Sequence, residues 1–84
     1  MKTIIIQNKG MTEAMFEAAF ARLQDYTSHC YLANDKSHIT VHCDPAPTYS
    51  VDAGRMVDGV TAAKLAIRHY LKSYLAEIEL VVKE

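Results

Sequence analysis

Apolar and polar positions alternate in several distinct rhythms along this chain, and each rhythm predicts an element. Thr3 to Gln7 is a β-branched run halted by Asn8-Lys9-Gly10, the pattern of a buried strand. Met15, Phe16, Ala19, Phe20, Leu23 and Tyr26 then recur every three or four residues, one apolar face of an amphipathic helix. Thr12 is placed to cap that helix, with Glu13 in the first turn. Met11 before the cap and Phe16 four positions into the helix fit a hydrophobic staple.

Between Ser28 and Cys43 the period changes to two. A two-residue turn at Asp35-Lys36 sets Leu32 opposite Ile39 and Cys30 opposite Val41, with Cys43 on the same face. His29 opposite His42, Tyr31 opposite Thr40 and Ala33 opposite His38 make up the other face. A slip of one residue would destroy this separation of apolar from polar positions, so the register predicts a hairpin. Residues 44 to 59 show no period and carry Asp44-Pro45-Ala46-Pro47, a stiff extended stretch, and Asp58-Gly59, a turn signal. The spacing predicts a second helix from about Thr61, buried along Val60, Ala63, Ile67, Leu71, Tyr74 and Ile78. The tail carries two patterns: Ile78, Leu80 and Val82 alternate as in a strand, while Ile78, Val81 and Val82 extend the helical stripe. With no Gly or Pro after Thr61, the balance favours a helix that frays.

The expected fold is α+β: a small antiparallel sheet with a central hairpin packed on two helices. The order is βαββα, or βαββαβ, the ferredoxin-like arrangement, if the tail is a strand. The 84 residues form one small domain with a thin stability margin, which a metal or a second copy would widen. A net charge of −1 argues against a nucleic-acid partner held by bulk charge, and no apolar run is long enough for a membrane span. The short apolar start lacks a signal-peptide core, so a cytoplasmic protein with reduced cysteines is expected.

Two His-Cys doublets bring in metal chemistry. His29, Cys30, His42 and Cys43 fall at the open end of the predicted hairpin and are the candidate zinc ligands. Strand neighbours point to opposite faces, so all four converge only across a bulge or strong twist. A smaller site would use His29 and His42 with Asp44 or Cys43. The alternative keeps the cysteines in the core and the histidines as a solvated cross-strand pair. No other cofactor is suggested.

In the long loop, Tyr49, Asp52, Arg55 and Met56 combine aromatic, charged and soft apolar groups, while Lys64, Arg68 and Lys72 make a basic stripe on the second helix. Together they are the candidate surface for a larger protein partner. Tyr49-Ser50-Val51-Asp52-Ala53 with Gly54-Arg55-Met56-Val57 resembles the regulatory-site region of HPr phosphocarriers, and Gly10-Met11 is similar to that family's active-site loop. The family's phosphorylated histidine would fall at Thr12, so its activity does not carry over. No calcium loop, phosphate-binding glycine loop or activated nucleophile is present. The expectation is a non-enzymatic binding or inhibitory module, similar in size and style to small inhibitors of phages and mobile elements, anti-CRISPR proteins among them. The alternative is a zinc-dependent or acid-base enzyme using His29 or His42 with a loop aspartate. A homodimer stays open.

Overall fold

A computed structural model describes residues 2–83. Among them, strand β1 (Lys2–Asn8) is followed by helix α1 (Glu13–Tyr26), β2 (Cys30–Leu32) and β3 (His38–Cys43). A short excursion holds β4 (Thr48–Ser50) and β5 (Arg55–Val57). Helix α2 (Gly59–Tyr70), a 3-10 segment (Lys72–Glu77) and β6 (Ile78–Lys83) complete the chain.

The main sheet has the order β2-β3-β1-β6, with every neighbouring pair antiparallel. The order βαββαβ with this strand arrangement is the split βαβ, or ferredoxin-like, topology. Alternation along the strands makes one face apolar. Ile4, Ile6, Ile39 and Val41 are essentially fully buried there against Phe16, Ala19 and Leu23 of α1 and Ala63 and Ile67 of α2. Each such side chain contributes about 1.5–3 kcal/mol by leaving water, which is why this two-layer core dominates a chain so short. Thr3, Ile5, Gln7, Thr40, His42 and Tyr31 fall on the opposite face, which no helix covers.

The helix entrance follows the sequence. Thr12 Oγ1 accepts from the Met15 amide at 3.2 Å, and Met11 and Phe16 are both buried, as a staple requires. The apolar stripe of α1 is narrower than its spacing predicts: Met15 and Tyr26 are 39% and 37% exposed.

The predicted hairpin register is observed: Cys30 faces Val41, Tyr31 faces Thr40 and Leu32 faces Ile39. It runs on at both ends, where the His42 amide donates to the His29 carbonyl and the Ala33 amide to the His38 carbonyl. The turn is longer than two residues. The Lys36 amide closes a β-turn onto the Ala33 carbonyl, and Lys36 itself adopts φ +60°. The Ser37 amide then donates to Asp35 Oδ1, so Asn34 to Ser37 all serve as loop.

Three expectations are corrected. The segment after Cys43 is not wholly irregular: β4 and β5 pair as a second hairpin, with Tyr49 opposite Met56. The tail is a strand. Leu71 leaves helical geometry at φ −111°, ψ 24°, and β6 then pairs with β1 over six residues, from Asn8 with Ile78 to Thr3 with Lys83. β1 is a central strand, so half of its amides and carbonyls would go unpaired without β6; that demand overrides the helical stripe. Helix α2 also starts earlier than Thr61. Asp58 caps it by accepting from the Thr61 amide and hydroxyl at 2.9 and 2.7 Å, so the turn signal is a helix cap.

Candidate functional site

Strand alternation separates the two His-Cys doublets. Cys30 is 4% exposed and turns its thiol inward, donating to the Thr27 carbonyl at 3.4 Å. Cys43 is half-buried on the same side, its thiol 3.7 Å from the Lys2 carbonyl. His42 lies on the open face of the sheet. There its Nδ1 is 3.3 Å from Thr3 Oγ1, and its ring meets Tyr31 edge-on at 5.7 Å. His29 stands exposed just before β2, opposite His42 along the ladder. No bulge re-aims these side chains. Among the described residues, no group of three or more His, Cys, Asp or Glu is placed to hold a metal ion. Both thiols also titrate above the ordinary cysteine value, Cys30 through burial and Cys43 through burial and then the charge of Asp44. Such thiols stay protonated at neutral pH, which does not suit a nucleophile. No disulfide joins them.

A cavity of about 530 Å³ nonetheless opens at this end of the molecule, bordered by Tyr26, His29, His42, Cys43, Asp44 and Gly59 among others. Its floor depends on one close approach. The Gly59 amide donates to the Pro45 carbonyl at 3.1 Å, and a Cβ at position 59 would lie 1.6 Å from the Asp44 carbonyl oxygen. Only glycine lets the start of α2 rest on the backbone of residues 44 to 46.

The second hairpin has a buried side and an exposed side. Ser50 and Val57 turn inward at 5% and 9% exposure. Ser50 fixes the turn, its Oγ accepting from the Ala53 amide at 3.1 Å and its carbonyl from the Gly54 amide at 2.8 Å. Gly54 takes φ +69°, a left-handed conformation that favours glycine. Tyr49 and Met56, directly opposed, share the outer side at 61% and 59% exposure, and Val51 at the turn is 86% exposed. Arg55, opposite Ser50, lies on the other side of the hairpin near its turn, and Asp52 sits in the turn; both are exposed.

The hairpin is held to the body of the protein along one side of α2. A cleft of about 440 Å³ lies between them, bordered by Tyr26, Tyr49, Asp52, Ala66, His69 and Tyr70 among others. His69 Nδ1 approaches Asp52 Oδ1 at 3.5 Å across it, and the Tyr26 and Tyr70 rings meet at 5.6 Å. Burial, with the nearby Cys43, Tyr70 and Asp52, raises the Tyr26 phenol above its usual value, so it stays neutral.

Of the sequence-predicted contact residues, Tyr49, Asp52, Arg55 and Met56 all fall on the hairpin, Tyr49 and Met56 on one side and Arg55, opposite Ser50, on the other. The basic stripe does not join them. Lys64 and Arg68 each follow a cleft-lining alanine, Ala62 or Ala66, by two positions, which at about 100° per residue is nearly the far side of the helix. Lys72 falls beyond the helix end, bordering a separate concavity with Arg22 and Asp25. Sequence reasoning missed Val51 and the Tyr26–Tyr70 pair. The Asp-Ala-Gly turn between two short apolar runs was the available signal for the hairpin.

Among the described residues, no helix is long and apolar enough to cross a membrane. No protein-family model matches the chain, and neither a curated protein nor a solved structure gives a match.

Proposed function

We propose that the protein is a non-enzymatic binding module, of the inhibitory type carried by phages and mobile elements, that acts by occupying a surface on a larger protein. The observation that carries this reading is the outer side of the β4–β5 hairpin. Tyr49, Met56 and Val51 stand exposed on a projecting element whose inner side is anchored by Ser50 and Val57. A chain that can bury only a limited core leaves these three in water. Tyrosine and methionine are enriched at the centre of protein interfaces, and the turn end of the hairpin carries the charged Asp52 and Arg55 beside them in sequence. Lys64, Arg68 and Lys72 face elsewhere, so the contact does not need them.

The test compares three baits in lysate of the producing cells: the parent, Tyr49→Asp/Met56→Asp, and Lys64→Glu/Arg68→Glu. A partner retained by the parent and the helix variant but lost from the hairpin variant, with unchanged circular dichroism, supports the reading. Retention by the hairpin variant refutes it.

A second reading has one observation in its favour. His29, His42, Cys43 and Asp44 border the same cavity, as an acid-base enzyme using His29 or His42 with a loop aspartate would require. It predicts that small ligands shift the imidazole resonances of His29 and His42 and that His29→Ala abolishes the shift.

A further inference from the structure

The two edges of the main sheet differ. β2 exposes an edge of three residues, whereas β6 runs for six, Ile78 to Lys83, with no proline and no break in its register with β1. Proteins usually blunt an exposed edge by shortness, proline or a bulge. β6 has none of these; of the charged side chains that also guard edges it carries Glu79 and Lys83.

The ladder also fixes which backbone groups face outward. The Lys9 amide donates to the Glu77 carbonyl at 2.8 Å, in line with the β1–β6 register. Antiparallel bonding alternates, so Glu79, Val81 and Lys83 direct their amides and carbonyls to β1. Those of Ile78, Leu80 and Val82 point out of the sheet edge. Val82 is 40% exposed and Leu75, in the 3-10 segment leading to the strand, is 42% exposed.

We infer that this edge pairs with the β6 edge of a second copy of the chain, giving a two-fold dimer with a continuous eight-stranded sheet. A two-fold axis perpendicular to the sheet keeps each side chain on its own face, so only residues of like phase can oppose one another. Among such registers, one centred on Val81 is complementary in charge. It sets Glu79 opposite Lys83 of the second copy, and Lys83 opposite its Glu79. Leu80 and Val82 then exchange backbone hydrogen bonds on the helix-bearing side. Centring on Leu80 would instead place each Glu79 carboxylate against Val81, and centring on Glu79 would oppose two carboxylates. The Glu79–Lys83 pairs occupy the non-hydrogen-bonded positions, where opposed side chains come closest. Within its own chain Glu79 pairs with the exposed Lys9 ammonium at 3.6 Å, a contact compatible with a second cation nearby. The inference does not depend on the hairpin being a binding surface, which lies on a different element.

Sedimentation equilibrium of the full chain from about 1 µM to 1 mM, the range expected of a small interface, gives the first reading. A monomer throughout overturns the proposal. The register is read by mild oxidation of Val81→Cys and Leu80→Cys, with the parent chain, which retains Cys30 and Cys43, as control. Crosslinked dimer from Val81→Cys alone is the expected result, because only residue 81 faces itself across the axis. Crosslinking at position 80 instead, or at neither position, overturns it. Lys83→Glu should weaken dimerisation by about tenfold and Glu79→Lys/Lys83→Glu should restore it, since the swap preserves the opposite charges. No effect of the single change, or no rescue by the pair, counts against the register.

Discussion

Replacing Gly59 by alanine tests how the cavity and the second hairpin are attached to the fold. Near the start of an ordinary helix the change would be neutral or favourable, since alanine is up to about 1 kcal/mol better than glycine in a helix. Here the added methyl would sit 1.6 Å from the Asp44 carbonyl oxygen and 3.0 Å from that of Ala46. Both obstacles are backbone, so relief requires residues 44 to 46 to lift away from α2. Forcing an extra methyl into filled space costs about 1–3 kcal/mol. The Gly59 amide bond to the Pro45 carbonyl, 3.1 Å long, is lost with the movement, at about 1 kcal/mol. Against the propensity gain, the net effect is a destabilisation of about 1–3 kcal/mol. Urea unfolding followed by far-ultraviolet circular dichroism reads it directly. With a slope of about 1 kcal/mol/M, the midpoint should fall by about 2 M. An unchanged or higher midpoint for Gly59→Ala would refute the close approach and the placement of residues 44 to 48 that rests on it.

The remaining expectations concern the core, a helix cap and the metal question. Phe16→Ala removes the largest fully buried side chain and should cost about 3–5 kcal/mol by the same urea assay. The Asp58 carboxyl is held below the usual aspartate value by hydrogen bonds from the Thr61 side chain and amide. Its folded value is thus lower than its unfolded one, so its stabilisation is complete above the unfolded range near pH ~4 and is lost as pH falls through the folded value. Melting temperature measured against pH should therefore show a weaker acid decline in Asp58→Asn than in the parent. EDTA should leave the melting temperature of protein purified without chelator unchanged, because the two doublets do not converge; a fall in stability with release of one zinc per chain would contradict that geometry.

Elements whose pattern was decided locally could be read from the sequence. The β2–β3 register follows from which apolar residues must share a face, and the α1 entrance from Met11, Thr12 and Phe16. The tail could not be settled this way, because Ile78 to Val82 satisfy both periods. The choice is made by the unpaired edge of β1, some seventy residues away in the chain. The β4–β5 hairpin was obscured because its strands are three residues long and bury only Ser50 and Val57. So few inward positions cannot establish a period of two. The same limit applied to the candidate site. Sequence spacing placed His29 opposite His42, as observed, and alternation already kept the cysteines off that face. What it could not supply was the long-range placement of Asp44 beside Gly59, of Asp52 beside His69, and of the basic stripe away from the hairpin.

Site-specific photocrosslinking in the producing cells tests the binding reading most directly. A photoreactive phenylalanine analogue is placed at Tyr49 in one protein and at Lys64 in another. The account predicts a specific adduct with one larger protein from position 49, competed by the unmodified chain, and none from position 64. An adduct with the same protein from position 64 and none from position 49 would contradict it, and would move the contact surface to the outer side of α2.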